Sequence, residues 1–229
     1  TACAPLARWP AGRGPEMGTA DTLLRIARGM TEARLSVGTA GNVSVRTETG
    51  MLITPSGLAP HRCSAEDMVP VGADGTATGA LAPSSEWRMH QDIYARRPEA
   101  FAILHAHAPF ATALACRREP IPPFHYMVAR FGGADVRCAD YATFGTQALS
   151  DATVAALAER SACLMANHGM IVLASTVEEV LDRAIEFEML CEHYWRARSL
   201  GEPVLLDAIQ IQDALERFGD YGRPRPNAR

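Results

Sequence analysis

The chain contains no lysine: all 22 of its basic residues are arginine. A GC-rich coding sequence accounts for the bias, and the chemical consequence holds whatever its origin. A lysine Schiff base cannot form, and a phosphate-binding loop built around a lysine is excluded. Carbon–carbon bond chemistry on a carbonyl substrate would need another electron sink, and a metal ion is the obvious one. No C-x-x-C pair occurs among the six scattered cysteines, Cys3, Cys63, Cys116, Cys138, Cys163 and Cys191. Zinc-ribbon and thioredoxin-like readings therefore fail. Several of these cysteines sit in apolar surroundings and read as buried thiols, as expected of a reducing cytoplasm. No apolar run reaches the roughly 18 residues of a membrane span. There is no basic surplus either: the net charge is −4, which gives a nucleic-acid partner no support. Thr1 to Glu16 carries Pro, Gly and Arg but no apolar core of a signal peptide. Residues 1–17 read as a disordered N-terminal extension, with Met17 a candidate natural start.

What is present suits one domain over residues 18–229: 229 residues, 48% of them apolar. Helical spacing runs from Thr19 to Leu35. Asn42–Thr47 and Met51–Thr54 read as a hairpin turned by Glu48-Thr49-Gly50. A short helix at Ala65–Met68 precedes a strand at Val69–Val71. Ser84 is placed to cap a helix ending near Arg97, stopped by Pro98. A strand at Phe101–His107 and a helix at Pro109–Ala115 follow. Beyond Pro122-Pro123 come a short helix (Phe124–Arg130), a brief strand (Val136–Cys138) and a helix (Leu149–Glu159). Ala162–Met165 and Met170–Leu173 pair around a turn, and Thr176 caps a long helix to about Leu200. Helices alternate with short strands, but the hairpin signals favour a mixed or antiparallel sheet over a doubly wound one.

Three segments carry the chemistry. His105-Ala106-His107 ends a buried strand, and residues two apart on a strand share a face. The pair can chelate one metal ion, or it can be two half-buried histidines. Ser84-Ser85-Glu86 at a helix start and Asn167-His168-Gly169 at a turn supply a carboxylate and a third imidazole. The set of Glu86, His105, His107 and His168 suits Zn²⁺ or a similar divalent ion. His61, His90 and His193 fall in no motif and read as surface or core residues; His125 reads as structural.

Seven motifs occur in one order. They are Gly38-Thr39-Ala40-Gly41-Asn42-Val43-Ser44, Thr54-Pro55-Ser56-Gly57, Pro83-Ser84-Ser85-Glu86-Trp87, His105-Ala106-His107, His125-Tyr126-Met127, Tyr141-Ala142-Thr143-Phe144-Gly145 and Asn167-His168-Gly169. Their order and spacing resemble the class II aldolases of the L-fuculose-1-phosphate aldolase type over Leu23 to Tyr221. The resemblance implies a single three-layer α/β/α domain around a mostly antiparallel sheet, assembled as a homotetramer with sites between subunits.

By the same resemblance, Glu86, His105, His107 and His168 hold one Zn²⁺ per subunit, and Glu86 doubles as acid/base. Asn42, Ser56, Gly57, Ser84 and Ser85 form a phosphate pocket, with turn amides, hydroxyls and a helix N-terminus doing the work of a cation. Tyr126 reaches the neighbouring subunit's site as a proton donor. Phe144 and Tyr221 shape the aldehyde side. The implied reaction is retro-aldol cleavage of a phosphorylated ketose to dihydroxyacetone phosphate and a small aldehyde. Fuculose, 5-deoxyribulose and 5-methylthioribulose 1-phosphates share the end that these motifs would hold. A ribulose-5-phosphate 4-epimerase, a methylthioribulose-1-phosphate dehydratase and a non-catalytic adducin-like domain are related alternatives. The first carries an acidic residue where this chain has His125-Tyr126-Met127, and the last loses metal ligands.

Overall fold

A computed structural model describes residues 18–220. Among the described residues the six α-helices are α1 (Thr19–Glu32), α2 (Trp87–Arg96), α3 (Pro109–Ala115), α4 (Gln147–Ala156), α5 (Glu179–Leu200) and α6 (Ala208–Asp220). The seven strands are β1 (Asn42–Arg46), β2 (Gly50–Ile53), β3 (Val69–Gly72), β4 (Ala102–Ala106), β5 (Cys138–Ala139), β6 (Ala162–Met165) and β7 (Gly169–Ala174). They form one sheet in the order β3-β2-β1-β4-β7-β6-β5. Every pairing is antiparallel except β5 with β6. The central strands β4 and β7 are buried along their whole length, because helices cover both faces.

Side chains alternate across that sheet. Leu104 and Ala106 of β4 pack with Met170 and Val172 of β7 against α1, α3 and α5. Ile103 and Ile171 point the other way, into a second core formed with Met89 and Ile93 of α2 and Leu149 of α4. The result is the three-layer α/β/α arrangement expected from the sequence. His105 has the parity of Ile103 and so faces α2. Five cysteines, Cys63, Cys116, Cys138, Cys163 and Cys191, are free thiols; Cys63, Cys163 and Cys191 are buried and Cys116 is exposed.

Several boundaries differ from expectation for local physical reasons. Glu86, not Ser84, occupies the cap position of α2, and its side chain makes no capping bond. Ser84 Oγ accepts the Glu86 amide at 3.4 Å instead, while the carboxylate turns toward the histidines. The segment after Pro122-Pro123 is a 3-10 turn, Tyr126–Phe131, ended by Gly132 at φ 101°. Helix α6 has no counterpart in the sequence reading; its Ile211 and Ala214 are buried, and it packs on that 3-10 turn. Tyr221 and residues 1–17 lie outside the described residues.

Candidate functional site

Sheet register builds the centre of the site. β4 carries His105 and leads directly into His107. β7 begins at Gly169, so the hairpin turn from β6 presents His168, with Asn167 at φ 53° giving the left-handed residue that so short a turn requires. The β4–β7 ladder pairs Ala106 with Met170 and brings the turn beside His107. The three imidazole rings meet edge to face, with centroids 4.8–5.0 Å apart. Nε2 of His105 and Nε2 of His107 are 3.1 Å apart. The nitrogens that the three rings offer lie within 4.8 Å of one another.

Glu86 completes the cluster from the start of α2. Its Oε2 lies 3.2 Å from His105 Nε2 and its Oε1 3.3 Å from His168 Nε2. Asn42 Nδ2 donates to Oε2 at 2.9 Å, whereas buried Oε1 has no hydrogen-bond partner. A buried, half-satisfied carboxylate beside three converging imidazoles is a donor set that a divalent cation would complete. His105 Nδ1 donates to the Met170 carbonyl at 2.8 Å, which fixes the ring and turns Nε2 toward the cluster.

The electrostatics agree. Burial opposes charge on Glu86, but His105, His168 and the Asn42 amide outweigh it and hold the carboxyl well below the usual carboxylate range. Burial, with the His105 charge beside it, pushes His168 down to about 4, and the same two causes lower His107. Both rings are therefore neutral at pH 7, the form that binds a metal. His105 is pulled both ways: burial lowers it, and Glu86 together with the bond to the Met170 carbonyl raises it by more.

These groups open onto a cavity of about 610 Å³. Its lining brings together Thr39-Ala40-Gly41-Asn42, Ser56-Gly57 and Ser84-Ser85, a first wall of turns and a helix start, with Glu86, His107 and His168 of the cluster and with Tyr141, Ala142, Phe144 and Asn167. His105 is fully buried and does not line it. The first wall is stitched by backbone bonds, Ser84 N to Thr54 O at 3.0 Å and Ser56 N to Ala82 O at 2.9 Å. Gly41 is required there: at φ 78°, a Cβ would sit 2.8 Å from the His105 carbonyl oxygen.

Of the residues singled out in the sequence, Asn42, Ser56, Gly57, Ser84, Ser85, Glu86, His107, His168 and Phe144 line this one cavity, with His105 directly beneath. Asn42 has both amide atoms engaged, Nδ2 with Glu86 and Oδ1 with His90. Tyr126 is not brought to its own chain's cavity: it is 53% exposed and stacks on Phe218 of α6. Phe144 and Tyr141 are 66% and 55% exposed at the rim. Sequence reasoning missed Tyr141 and Asn167 as lining residues, although both sit inside motifs it singled out. It also missed His90.

The chain matches the class II aldolase and adducin N-terminal domain model over residues 21–195. It is 48% identical over 200 residues to a protein of Rhodospirillum rubrum named 5-methylthioribulose-1-phosphate/5-deoxyribulose-1-phosphate aldolase, covering 87% of this chain and 90% of that protein. Identity to the L-fuculose phosphate aldolase of Escherichia coli K12 is 41% over 194 residues, 84% and 90% of the two chains. A solved L-fuculose 1-phosphate aldolase superposes with a TM-score of 0.84 at 38% identity, covering 90% of this chain and all of that one.

Proposed function

Because this chain belongs to the class II aldolase and adducin N-terminal domain family, we propose that it is a lyase that cleaves a ketose 1-phosphate to dihydroxyacetone phosphate and a small aldehyde. The observation that carries the reading is the cavity itself. A three-histidine cluster and a buried carboxylate with one unpartnered oxygen face a wall of turn amides and serine hydroxyls.

His105, His107 and His168 would hold a zinc ion, with Glu86 as the ligand able to leave. Such an ion supplies Lewis acidity for the negative charge that develops beside the ketose carbonyl, as a protonated imine does in a lysine aldolase. The phosphate is bound by Ser56, Gly57, Ser84, Ser85 and the Gly41-Asn42 turn. Loop amides and the N-terminus of α2 favour an anion there without a cation. That anchor sets C3 beside Glu86. Once displaced from the cluster, the carboxylate is free to take up a proton from solvent and deliver it to C3 after the C3–C4 bond breaks. Tyr126 of an adjacent subunit relays the C4 hydroxyl proton, its phenol passing one proton on to solvent as it accepts another, which fits its exposure and its absence from its own cavity. On this reading the active unit is a homotetramer with sites between subunits, working in the cytoplasm.

The exposed aromatic rim of Tyr141 and Phe144 suits an aldehyde with a short apolar end. With the higher identity to the Rhodospirillum protein, it favours 5-deoxyribulose and 5-methylthioribulose 1-phosphates over fuculose 1-phosphate. The test is dihydroxyacetone phosphate release by the zinc-loaded protein from all three, with an EDTA-treated control. EDTA-sensitive release, fastest with the two ribulose derivatives, is expected. No release from any of them by protein with zinc bound would refute the aldolase reading.

A further inference from the structure

His90 belongs to no motif, yet it is fully buried one helical turn beyond Glu86 and has a partner at each ring nitrogen. Nε2 is 2.6 Å from Asn42 Oδ1, and Nδ1 is 2.7 Å from Ser44 Oγ. The direction of these bonds can be worked out from the carboxylate end. Glu86, ionised, can only accept, so Asn42 presents Nδ2 to it and turns Oδ1 toward His90. An amide oxygen needs a donor, so the His90 proton is on Nε2. Burial drives the ring to its neutral form, with a pKa pushed down to about 3. Nδ1 is therefore bare and accepts from the Ser44 hydroxyl. Ser44 Oγ can then accept from Tyr94 Oη, 2.9 Å away. Four side chains and a carboxylate thus form one polarised row, Tyr94 to Ser44 to His90 to Asn42 to Glu86.

We infer that His90 is a positioning residue: held as a single tautomer, it fixes which end of the Asn42 amide faces Glu86, and so holds Oε2 in place while Oε1 stays free on the histidine side. Without the His90 N–H, Oδ1 is left in a buried site with no donor and the amide is held from the Glu86 side alone, so its grip on Oε2 loosens. The inference rests on the reading of Glu86 as the displaceable ligand and acid/base.

Two measurements test it without reference to turnover. Ring ¹⁵N shifts of His90, in metal-free and in zinc-loaded protein, should report a neutral imidazole protonated at Nε2. Zinc affinity, by chelator competition, should fall about 10- to 100-fold in His90→Leu, the usual effect of losing a group that orients a metal ligand. On the preferred ketose 1-phosphate, kcat should fall by a similar factor while KM moves less than about threefold, because the backbone amides and serine hydroxyls proposed to hold the phosphate do not touch His90. Glutamine can place its amide nitrogen near the position of Nε2, whereas asparagine reaches only as far as Nδ1. His90→Gln should therefore recover most of the zinc affinity and kcat, and His90→Asn should not. A ring protonated at Nδ1 would overturn the inference. So would Gln and Asn variants equally impaired at matched thermal midpoints, which would make His90 packing alone. The Gln/Asn pair and the shifts decide the matter even if His90→Leu fails to fold. Wild-type protein inactive on every ketose 1-phosphate would refute the aldolase reading and leave the tautomer and zinc measurements to judge His90.

Discussion

Replacing Gly169 with alanine should dismantle the histidine cluster from behind. Gly169 opens β7, immediately after His168, and packs across from the end of β4. A Cβ there would overlap the Ala106 carbonyl oxygen and lie 3.0 Å from His107 Cδ2. The first neighbour is backbone in the β4–β7 ladder, and the second is a ring the site uses. Neither can yield without moving His107 or His168. Forcing one extra carbon into packed surroundings costs about 1–3 kcal/mol. In a domain of this size that lowers the melting midpoint by roughly 2–4 °C per kcal/mol. The effect on metal binding is larger in proportion, because ligand distances tolerate only about ±0.2 Å. Zinc affinity by chelator competition should fall at least about tenfold, beyond what the stability loss alone would give. Gly38→Ala is the control. Gly38 has φ 67° but open space where its Cβ would go, so that variant should show about 1–2 kcal/mol of backbone strain and wild-type zinc affinity. A Gly169→Ala protein that binds zinc as tightly as wild type would refute the placement of the cluster.

Three further outcomes are expected. Glu86→Gln should still bind zinc through the histidines but lose about 10²–10⁴ in kcat at saturating metal; turnover within tenfold of wild type would refute the acid/base role. His90 titrates near 3 when folded and near 6.5 when unfolded, so the unfolded chain takes up its proton first and stability is lost as pH falls from 6.5 toward 3. Urea midpoints of metal-free protein at pH 5 and 4 should show wild type losing up to about 1.4 kcal/mol per pH unit more than His90→Gln; equal slopes would contradict a buried neutral His90. Co-expression of Tyr126→Phe with His105→Ala, each inactive alone, should restore partial activity if Tyr126 serves a neighbour's cavity. No activity in the mixed assembly, with association confirmed, would confine Tyr126 to its own chain.

The metal-ligand pattern was legible because it is local. Residues 105 and 107 share a face by the two-residue period of a strand, and His168 sits in a turn whose flanking strands announce themselves by apolar runs. The strand assignments survived for the same reason, with shifts of a residue or two at their ends. Helix α6 escaped notice because its buried face is short. Among its described side chains only Ile211 and Ala214 are buried while Ile209 is 80% exposed, so the apolar stripe that marks a core helix is barely written.

His90 escaped for a different reason, and the difference shows where one sequence stops. Glu86, His90 and Tyr94 stand four residues apart, one face of a helix; Asn42 and Ser44 stand two apart, one face of a strand. Both faces are readable in the sequence as polar stripes in apolar surroundings. What makes them a single polarised row is that they meet, and that depends on a long-range pairing. β1 lies antiparallel against β4 with Asn42 opposite His105, so the strand that carries the amide is the neighbour of the strand that carries the metal ligand. A one-residue slip of that register would put Asn42 and Ser44 on the opposite face of the sheet, away from α2. The same register, set by apolar side chains such as Val43, Val45, Leu104 and Ile103 far more than by the polar ones, therefore fixes at once where the histidines converge and which way the Glu86 carboxylate is held.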